Sequence, residues 1–299
     1  MPKERICVII RHRHNLSDTL ACLHSLSQAC HSRCTILVLH DTHVTDLDRH
    51  IRAKFPQILL SPTNVSLQSA ASYNIGIQWA LSKPFSWILL LSNESIVDPN
   101  FLSAFHKERE ANPQTKIFGA KILDVNDPTQ VLHLGGTWDA KHAIYNSFCH
   151  NTASIDYVSL HALFMHRSVP QTIGYFEPKY QLFWEDIDFC YRARRKGFLV
   201  HIAPTVKIWC KASLFCPKHD SYFWFYGRLL WMQRNLTEGE RRKVYKQIIR
   251  PELQKNLYEI AWLLLLRLFF CTTKKQREKY RQLRAKIGAW IHASLHHCQ

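Results

Sequence analysis

The first 112 residues alternate between short apolar runs and segments whose apolar positions have helical spacing. Apolar runs typical of buried strands lie at 7–10, 36–39, 58–60 and 87–91. From Leu16 to Leu26, leucine recurs at every third or fourth position, as on one side of a helix. Because strands that alternate with helices usually pair in parallel through crossover connections, the pattern predicts an α/β fold. We expect a Rossmann-like, mostly parallel central sheet flanked by helices.

The second half of the chain has a different pattern. Further strands are predicted at 115–123, 154–166, 198–203 and 205–210. A helix is predicted over 185–196. From about residue 240 the chain has helical spacing, and apolar stretches alternate with basic ones. We therefore predict one α/β domain over 1–238 and a helical C-terminal extension over 239–299.

The chain is strongly basic, with a net charge of +16 before its 18 histidines are counted. This charge favours anionic partners, namely nucleic acid, an anionic membrane face or phosphorylated substrates. Since the sequence has no recognised nucleic-acid-binding motif, we predict no nucleic-acid partner. Ten cysteines without a CxxC pair indicate a reducing, cytoplasmic environment. The N-terminal apolar run is too short for a signal peptide, and no apolar stretch reaches the length of a membrane span.

The most informative segment for chemistry is WEDIDFCYRAR, residues 184–194. Its two acids, Glu185 and Asp186, open a predicted helix, where the helix dipole favours ionised carboxylates. An ionised carboxylate beside a cleft can remove a proton from a substrate hydroxyl. Acidic residues also begin many helices merely as caps, so the pattern alone leaves both interpretations open.

Several short motifs surround this helix in a fixed order. They are CLHSL (22–26), NIGI (74–77), DPNFL (98–102), GYFE (174–177) and IWCK (208–211). Together with the acidic helix they resemble the pattern of glycosyltransferase family 2, in particular its rhamnosyltransferase-like group, over about residues 5–235. The resemblance implies the GT-A fold, in which a Rossmann-like nucleotide-binding half merges with an acceptor-binding half.

The same resemblance implies a reaction that inverts the configuration of the transferred sugar. Carried over by position, the catalytic base of the family falls on Asp186. This residue would take the proton of the acceptor hydroxyl as its oxygen attacks the anomeric carbon. Glu185 would orient the same loop. Trp184 is predicted to stack on a sugar face of the acceptor, and packing in the protein core is an equal alternative.

The donor-binding half departs from the family pattern. The basic loop that contains His12 can meet a pyrophosphate through charge-assisted hydrogen bonds, although a solvated basic loop explains it equally well. The residue expected to contact the nucleobase is His40 or Asp41, of which we favour Asp41. Asn74 and Ser92 complete the predicted donor-binding set.

The metal motif is the sharpest departure. Glu94, in the segment SNES (92–95), takes the place of the family's metal-binding aspartate. A glutamate can bind Mg²⁺ or Mn²⁺, whereas Cys210, at the position of a family histidine, is a poor ligand for such hard cations. Three interpretations stay open: a metal held mainly by Glu94 and the diphosphate, stabilisation of the leaving group by Arg or Lys without metal, or loss of catalysis.

The C-terminal segment combines apolar and basic runs. The run LYEIAWLLLLRLFF (257–270) is apolar, and seven Lys or Arg follow it from Lys274 to Lys286 against one acid, Glu278. This order is typical of peripheral attachment to an anionic membrane face. A helix packed on the rest of the chain, with a solvated basic side, is the alternative.

The sequence thus predicts an inverting glycosyltransferase with a nucleotide-sugar donor, for which rhamnose is a candidate sugar. Its acceptor would be a polysaccharide or a lipid-linked glycan of the cell envelope. The competing hypothesis is a catalytically impaired GT-A domain that acts as a binding or scaffold protein. The predicted cofactor is Mg²⁺ or Mn²⁺. The predicted location is the cytoplasm, with peripheral attachment to the cytoplasmic face of the membrane.

Overall fold

The computed structural model describes residues 5–12, 15–30, 34–41, 45–63, 70–139, 141–150, 154–212, 222–269 and 273–295. The chain divides into two compact units. The first comprises Met1–Trp138, Tyr145–Lys179 and Glu185–Cys216, and the second comprises Asp139–Ile144, Tyr180–Trp184 and Pro217–Gln299. The second unit contains the predicted C-terminal extension and also 217–238. The domain boundary at 238/239 stays a prediction.

The strands, in chain order, are β1 Ile6–Arg11, β2 Cys34–Asp41, β3 Leu59–Thr63, β4 Trp87–Ser92, β5 Ile96–Val97, β6 Thr115–Asp124, β7 Val131–His133, β8 Gly136–Asp139, β9 Ile144–Ser147, β10 Ala162–His166 and β11 Leu199–Cys210. The helices are α1 Leu16–Ala29, α2 Thr45–Lys54, α3 Ala71–Leu81, α4 Phe101–Ala111, α5 Ser168–Ile173, α6 Glu185–Arg195, α7 Tyr222–Asn235, α8 Glu238–Val244, α9 Arg250–Phe269 and α10 Lys274–Leu295. A π-helical turn, Tyr245–Ile249, joins α8 to α9. Within the described ranges, no helix combines the length and apolar character needed to cross a membrane.

The central sheet of the described chain has the strand order β3-β2-β1-β4-β10-β6-β11-β5, with β7 paired to β6. Strand β1 is parallel to β2 and β4, and β6 is parallel to β11. Strand β10 runs antiparallel between β4 and β6. The predicted α/β fold, with a mostly parallel Rossmann-like sheet flanked by helices, is therefore confirmed.

Two sequence-based strand predictions were wrong in extent. The segments 198–203 and 205–210 form the single strand β11, whose register on β6 shifts between Ala203 and Lys207. Pro204 lies in that interval, and because it has no N–H to donate, it interrupts the ladder without ending the strand. Of the strand predicted over 154–166, only Ala162–His166 forms a strand, β10, because a turn at Ser159–His161 precedes it.

The core of the first unit explains the continuous apolar runs. All six residues of β1 are buried, as are the first five of β4, because helices cover both faces of a parallel sheet. Trp87 packs edge-on against Phe105 with ring centroids 5.2 Å apart, and Phe105 stacks on Phe164 at 3.9 Å. This packing fixes the strands whose carboxyl ends carry the candidate site.

Gly76 allows α3 to pack closely on β1. A Cβ at this position would lie 2.7 Å from Cγ2 of Ile9 and 3.3 Å from Cδ1 of Leu39. We expect Gly76→Ala to lower the free energy of unfolding by about 1–3 kcal/mol through overpacking, as measured by urea denaturation. Gly239→Ala in α8 is the matched control, since nothing lies within 4 Å of its added Cβ. An unchanged urea midpoint in Gly76→Ala would contradict the close packing.

Candidate active site

The carboxyl ends of β4 and β11 come together at one edge of the sheet. After β4 the chain turns into β5, which pairs antiparallel with β11 through Ile96 and Val97. The hydroxyl oxygen of Ser95 consequently lies 3.3 Å from the sulfur of Cys210. The structure therefore brings together the two segments, SNES and IWCK, that departed most from the family pattern.

Asp186 lies in the first turn of α6 and is half-buried. Its Oδ2 accepts a hydrogen bond from the N–H of Leu160 at 3.3 Å, and its Oδ1 accepts one from the N–H of Ile187 at 2.9 Å. Burial, and next the charge of Glu185, raise the pKa of Asp186 to about 7, although both N–H groups oppose the rise. A carboxyl group with this pKa is suited to exchange protons near neutral pH.

The turn Ser159–His161 connects the acidic helix to the end of β4. Leu160 donates its N–H to Asp186. The next residue, His161, offers its carbonyl oxygen to the N–H of Ser92 at 3.1 Å and to the hydroxyl of Ser95 at 3.4 Å. The predicted base and the segment that carries Glu94 are thus held on either side of one short turn.

An ion pair with a buried carboxylate fixes helix α6. Asp188 is fully buried, and its Oδ2 accepts a hydrogen bond from Nε of Arg192 at 2.8 Å. The other nitrogens of Arg192 donate to the carbonyl oxygens of Ile173 at 2.8 Å and Tyr175 at 2.9 Å. Because a guanidinium offers donors in a rigid planar arrangement, one side chain fastens the preceding loop to the helix.

Asn74 belongs to the same support. Its amide nitrogen donates to the carbonyl oxygen of Phe176 at 2.9 Å, and its amide oxygen accepts the N–H of Phe176 at 3.0 Å. Both polar ends of the side chain therefore hold the loop that precedes α6 against α3. Its predicted role in donor binding stays a prediction.

His12 lies at the end of β1 and is 5% exposed. Its Nδ1 is 2.7 Å from the hydroxyl oxygen of Thr19, which also accepts a hydrogen bond from the amide of Asn93 at 2.9 Å. Thr19, fully buried in α1, thereby ties the ends of β1 and β4 together. The predicted contact of His12 with a pyrophosphate stays a prediction.

The other predicted donor residues lie at neighbouring strand ends. Ser92 ends β4, and its hydroxyl accepts the N–H of Glu94 at 3.3 Å. Asp41 ends β2, but its side chain lies outside the described part of the structure. The alternative residue, His40, is buried, with its Nε2 3.2 Å from Oδ1 of Asp48 in α2. This pairing engages His40 within the fold and keeps Asp41 as the favoured residue.

The residues that flank Asp186 are buried. Glu185 is 9% exposed, and Trp184 is fully buried. Trp184 has a positive φ of 76°, an uncommon conformation for a residue with a large side chain. Within the second unit its indole packs against Trp224 and Trp231, with ring centroids 5.6 and 6.3 Å away. This burial favours the packing alternative for Trp184 over the predicted stacking on a sugar.

The chemistry of the possible metal ligands is limited. Glu94 offers one half-buried carboxylate. Burial raises the pKa of Cys210 to about 12, and the nearby Glu94 charge adds to the rise, so this sulfur is a neutral thiol at neutral pH. Among the described residues there is no group of three His, Cys, Asp or Glu side chains able to hold a metal ion. The residues present therefore fit an ion that takes one carboxylate from the protein and its other ligands from phosphate oxygens and water.

Several contributors to the site were not evident from the sequence. The Leu160 donor is a backbone group, which no residue type reveals. Thr19 looked like an ordinary position of α1. Lys211, directly after β11, forms an ion pair with Asp18 in the first turn of α1, with Nζ 3.1 Å from Oδ1. Their position in the predicted fold was the one property that could have indicated them. All these residues lie at or beside the carboxyl edge of the sheet, where ligands bind in open α/β folds.

The comparison with protein-family models identifies the family. The model for glycosyltransferase like family 2 matches residues 2–231, which is more than half of the chain. The chain therefore belongs to glycosyltransferase family 2. A search of curated protein sequences finds no match.

Solved structures share the fold at low sequence identity. GalNAc-T7 with UDP, GalNAc and Mn²⁺ matches with a TM-score of 0.62 and 13% identity over 81% of this chain, which spans only 50% of that protein. The mannosyltransferase PcManGT from Pyrobaculum calidifontis, in complex with GDP-Man and Mn²⁺, matches at 0.55 and 12% over 98% of this chain and 88% of that one. TarS 1–349 from S. aureus matches at 0.54 and 12%, over 99% and 92%. The expected GT-A fold is confirmed; the rhamnosyltransferase-like subgroup stays a prediction.

The raised pKa of Asp186 predicts a pH-dependent stability. Between about pH 4, the unfolded pKa, and pH 7 the native state holds a proton that the unfolded chain has lost, so this group destabilises the fold as pH rises. Asp186→Asn should therefore raise the melting temperature relative to wild type more at about pH 8 than at about pH 5. Asp188→Asn is the control, because loss of the partner of Arg192 should lower it at both values. An Asp186→Asn difference independent of pH would contradict the assignment.

Proposed function

We propose that this chain is an inverting glycosyltransferase that uses Asp186 as its catalytic base. The observation that carries the proposal is the half-buried Asp186 carboxyl group, which accepts the Leu160 N–H and has a pKa of about 7. A base with a pKa near the working pH combines a useful fraction of the ionised form with enough basicity to take a proton. Family membership supports the same reaction class.

In the proposed reaction the ionised Asp186 accepts the proton of an acceptor hydroxyl. The oxygen of that hydroxyl forms a bond to the anomeric carbon of the donor, while the bond from this carbon to the diphosphate oxygen breaks. Attack and departure on opposite faces invert the configuration. The N–H groups of Leu160 and Ile187 hold the carboxylate in place, and the ion pair of Asp188 with Arg192 holds its helix. Glu185 acts indirectly, by raising the pKa of its neighbour.

We assign the donor diphosphate to the carboxyl edge of the sheet, beside Glu94. A divalent cation bound there would neutralise charge that develops on the leaving diphosphate. Glu94 would hold Mg²⁺ or Mn²⁺ together with phosphate oxygens. The support is that two structures of the same fold were solved with Mn²⁺ and a nucleotide or nucleotide sugar. His12, Asp41, Asn74 and Ser92 remain our proposed donor-side residues.

The proposed donor is a nucleotide sugar, with rhamnose one candidate to test. The proposed acceptor is a polysaccharide or lipid-linked glycan of the cell envelope, reached from the cytoplasmic side by a peripherally attached protein. A catalytically impaired binding protein is the second candidate, and the single carboxylate at the metal position favours it. Transfer of sugar by the wild-type protein, abolished by Asp186→Asn, would decide for the enzyme.

The base assignment predicts the pH dependence of transfer. The rate should fall as pH drops through about 7, because protonated Asp186 cannot accept a proton. Asp186→Asn should lower kcat by about 10²–10⁴-fold. Glu185→Gln removes a neighbouring negative charge and should move the midpoint of the pH–rate profile to lower pH. Glu110→Gln, an exposed glutamate in α4, is the control for a charge change elsewhere. A midpoint that does not move in Glu185→Gln, or an active Asp186→Asn, would refute these roles.

The metal assignment predicts a ligand-dependent stability. Adding Mn²⁺ should enlarge the thermal stabilisation that UDP or GDP gives the wild-type protein, because the ion and nucleotide bind together. Glu94→Gln should abolish this Mn²⁺-dependent part and keep the rest. Glu110→Gln should behave as wild type. The same Mn²⁺ effect in Glu94→Gln as in wild type would show that the ion binds elsewhere.

A further inference from the structure

The outer side of α9 exposes large apolar side chains. Leu257, Tyr258 and Trp262 are 53%, 78% and 63% exposed, and together we call them the α9 surface. Tyr258 and Trp262 are four residues apart, so they lie on the same side of the helix, and Leu257 lies about 100° around the helix from Tyr258. Adjoining exposed residues of this size mark interaction sites more often than single exposed apolar residues do.

The opposite side of α9 is packed within the second unit. Asn256 and Leu263 are 6% and 8% exposed, and their spacing of seven residues places them on one side of the helix. Helix α9 is therefore already anchored. The α9 surface is a second apolar side that the packing of the described residues does not cover.

Positive charge borders the α9 surface. Nζ of Lys279 in α10 forms an ion pair with Oε2 of Glu259, the residue next to Tyr258, at 3.2 Å, and this contact places one side of α10 beside the α9 surface. Lys275, exposed one turn earlier, lies on the same side of α10. Exposed apolar groups therefore adjoin two exposed lysines in the second unit, of which Lys279 is paired with Glu259.

Charge decides between the possible occupants of this region. A second copy of the chain would bring one basic α10 close to another, which like charges oppose. A leaflet with anionic lipids complements both features, since lysines are attracted to lipid phosphates and Trp and Tyr favour the level of the head groups. With Asn256 and Leu263 packed inward, only one side of α9 can meet lipid, as in helices that lie along the interface.

We propose that the α9 surface, with Lys275 and Lys279, binds an anionic membrane leaflet, with Tyr258 and Trp262 inserted among the head groups. The proposal rests on the proposed function, because it places the protein where a lipid-linked acceptor resides. It adds the residues that bind the membrane.

Co-sedimentation of the full chain with vesicles tests the proposal. One set of vesicles contains phosphatidylcholine alone, and the other also contains phosphatidylglycerol. We expect binding only to the second set, weakened by salt. The pair Lys275→Gln and Lys279→Gln should lower partitioning about fivefold per lysine, or about 25-fold together. The pair Tyr258→Ser and Trp262→Ser should lower it on the order of tenfold.

Leu199→Ser is the matched control, because Leu199 is 54% exposed but begins β11 in the first unit. It should bind vesicles as wild type does. Equal binding to both vesicle types, or wild-type binding by Trp262→Ser, would overturn the proposal. So would a dimer in sedimentation that Trp262→Ser dissociates, since a second copy would then cover the α9 surface.

Two readouts separate this proposal from the proposed function. Asp186→Asn should keep vesicle binding and lose sugar transfer. The lysine and aromatic variants should lose vesicle binding and keep the thermal stabilisation by nucleotide. An unchanged circular dichroism spectrum shows that each variant is folded, so loss of both properties by a folded α9 variant would overturn the proposal.

Discussion

The site depends on the hydrogen bonds of the turn Ser159–His161. Because β10 runs antiparallel to both β4 and β6, its first residue lies at the carboxyl edge of the sheet, where the parallel strands end. The turn that leads into β10 therefore presents peptide groups at the place where ligands bind in such folds. The N–H of Leu160 meets Asp186, and the carbonyl oxygen of His161 meets the end of β4. The topology of the sheet thus sets the position of the Asp186 carboxyl group.

The surroundings of Asp186 lower the stability of the fold, and they leave its carboxyl group able to exchange a proton near neutral pH. A half-buried carboxyl beside Glu185 is costly to ionise, and the raised pKa of Asp186 expresses this cost. The neighbouring buried acid, Asp188, has a different environment, because Arg192 forms an ion pair with it. Two acids two residues apart therefore have different surroundings, one paired and structural, the other only hydrogen-bonded by backbone groups. That difference is the physical basis for assigning them different roles.

Patterns that depend on local spacing could be predicted from the sequence. The apolar runs of β1, β2 and β4 and the acidic start of α6 are properties of short segments, and these predictions agree with the structure. The antiparallel direction of β10 could not be predicted, because pairing partners far apart in sequence decide it. The Leu160 N–H and the bridging Thr19 were equally hidden, since their roles arise from position in the fold. For Trp184, the sequence could not separate packing from binding, and only burial distinguishes them.

The turn Ser159–His161 also affects how independently the sequences around Asp186 and around the end of β4 can change. It joins Asp186 to the end of β4 largely through peptide groups, and peptide groups are the same whatever side chains the residues carry. The N–H groups of Leu160 and Ser92 can therefore keep their hydrogen bonds when side chains in the segment 92–95 are replaced, whereas the hydroxyl contact of Ser95 with His161 depends on its side chain. Side chains at 92–95 can therefore be varied while the peptide hydrogen bonds that join Asp186 to the end of β4 are kept. An acidic helix that keeps the family pattern can accordingly occur in one chain with a segment 92–95 that departs from it.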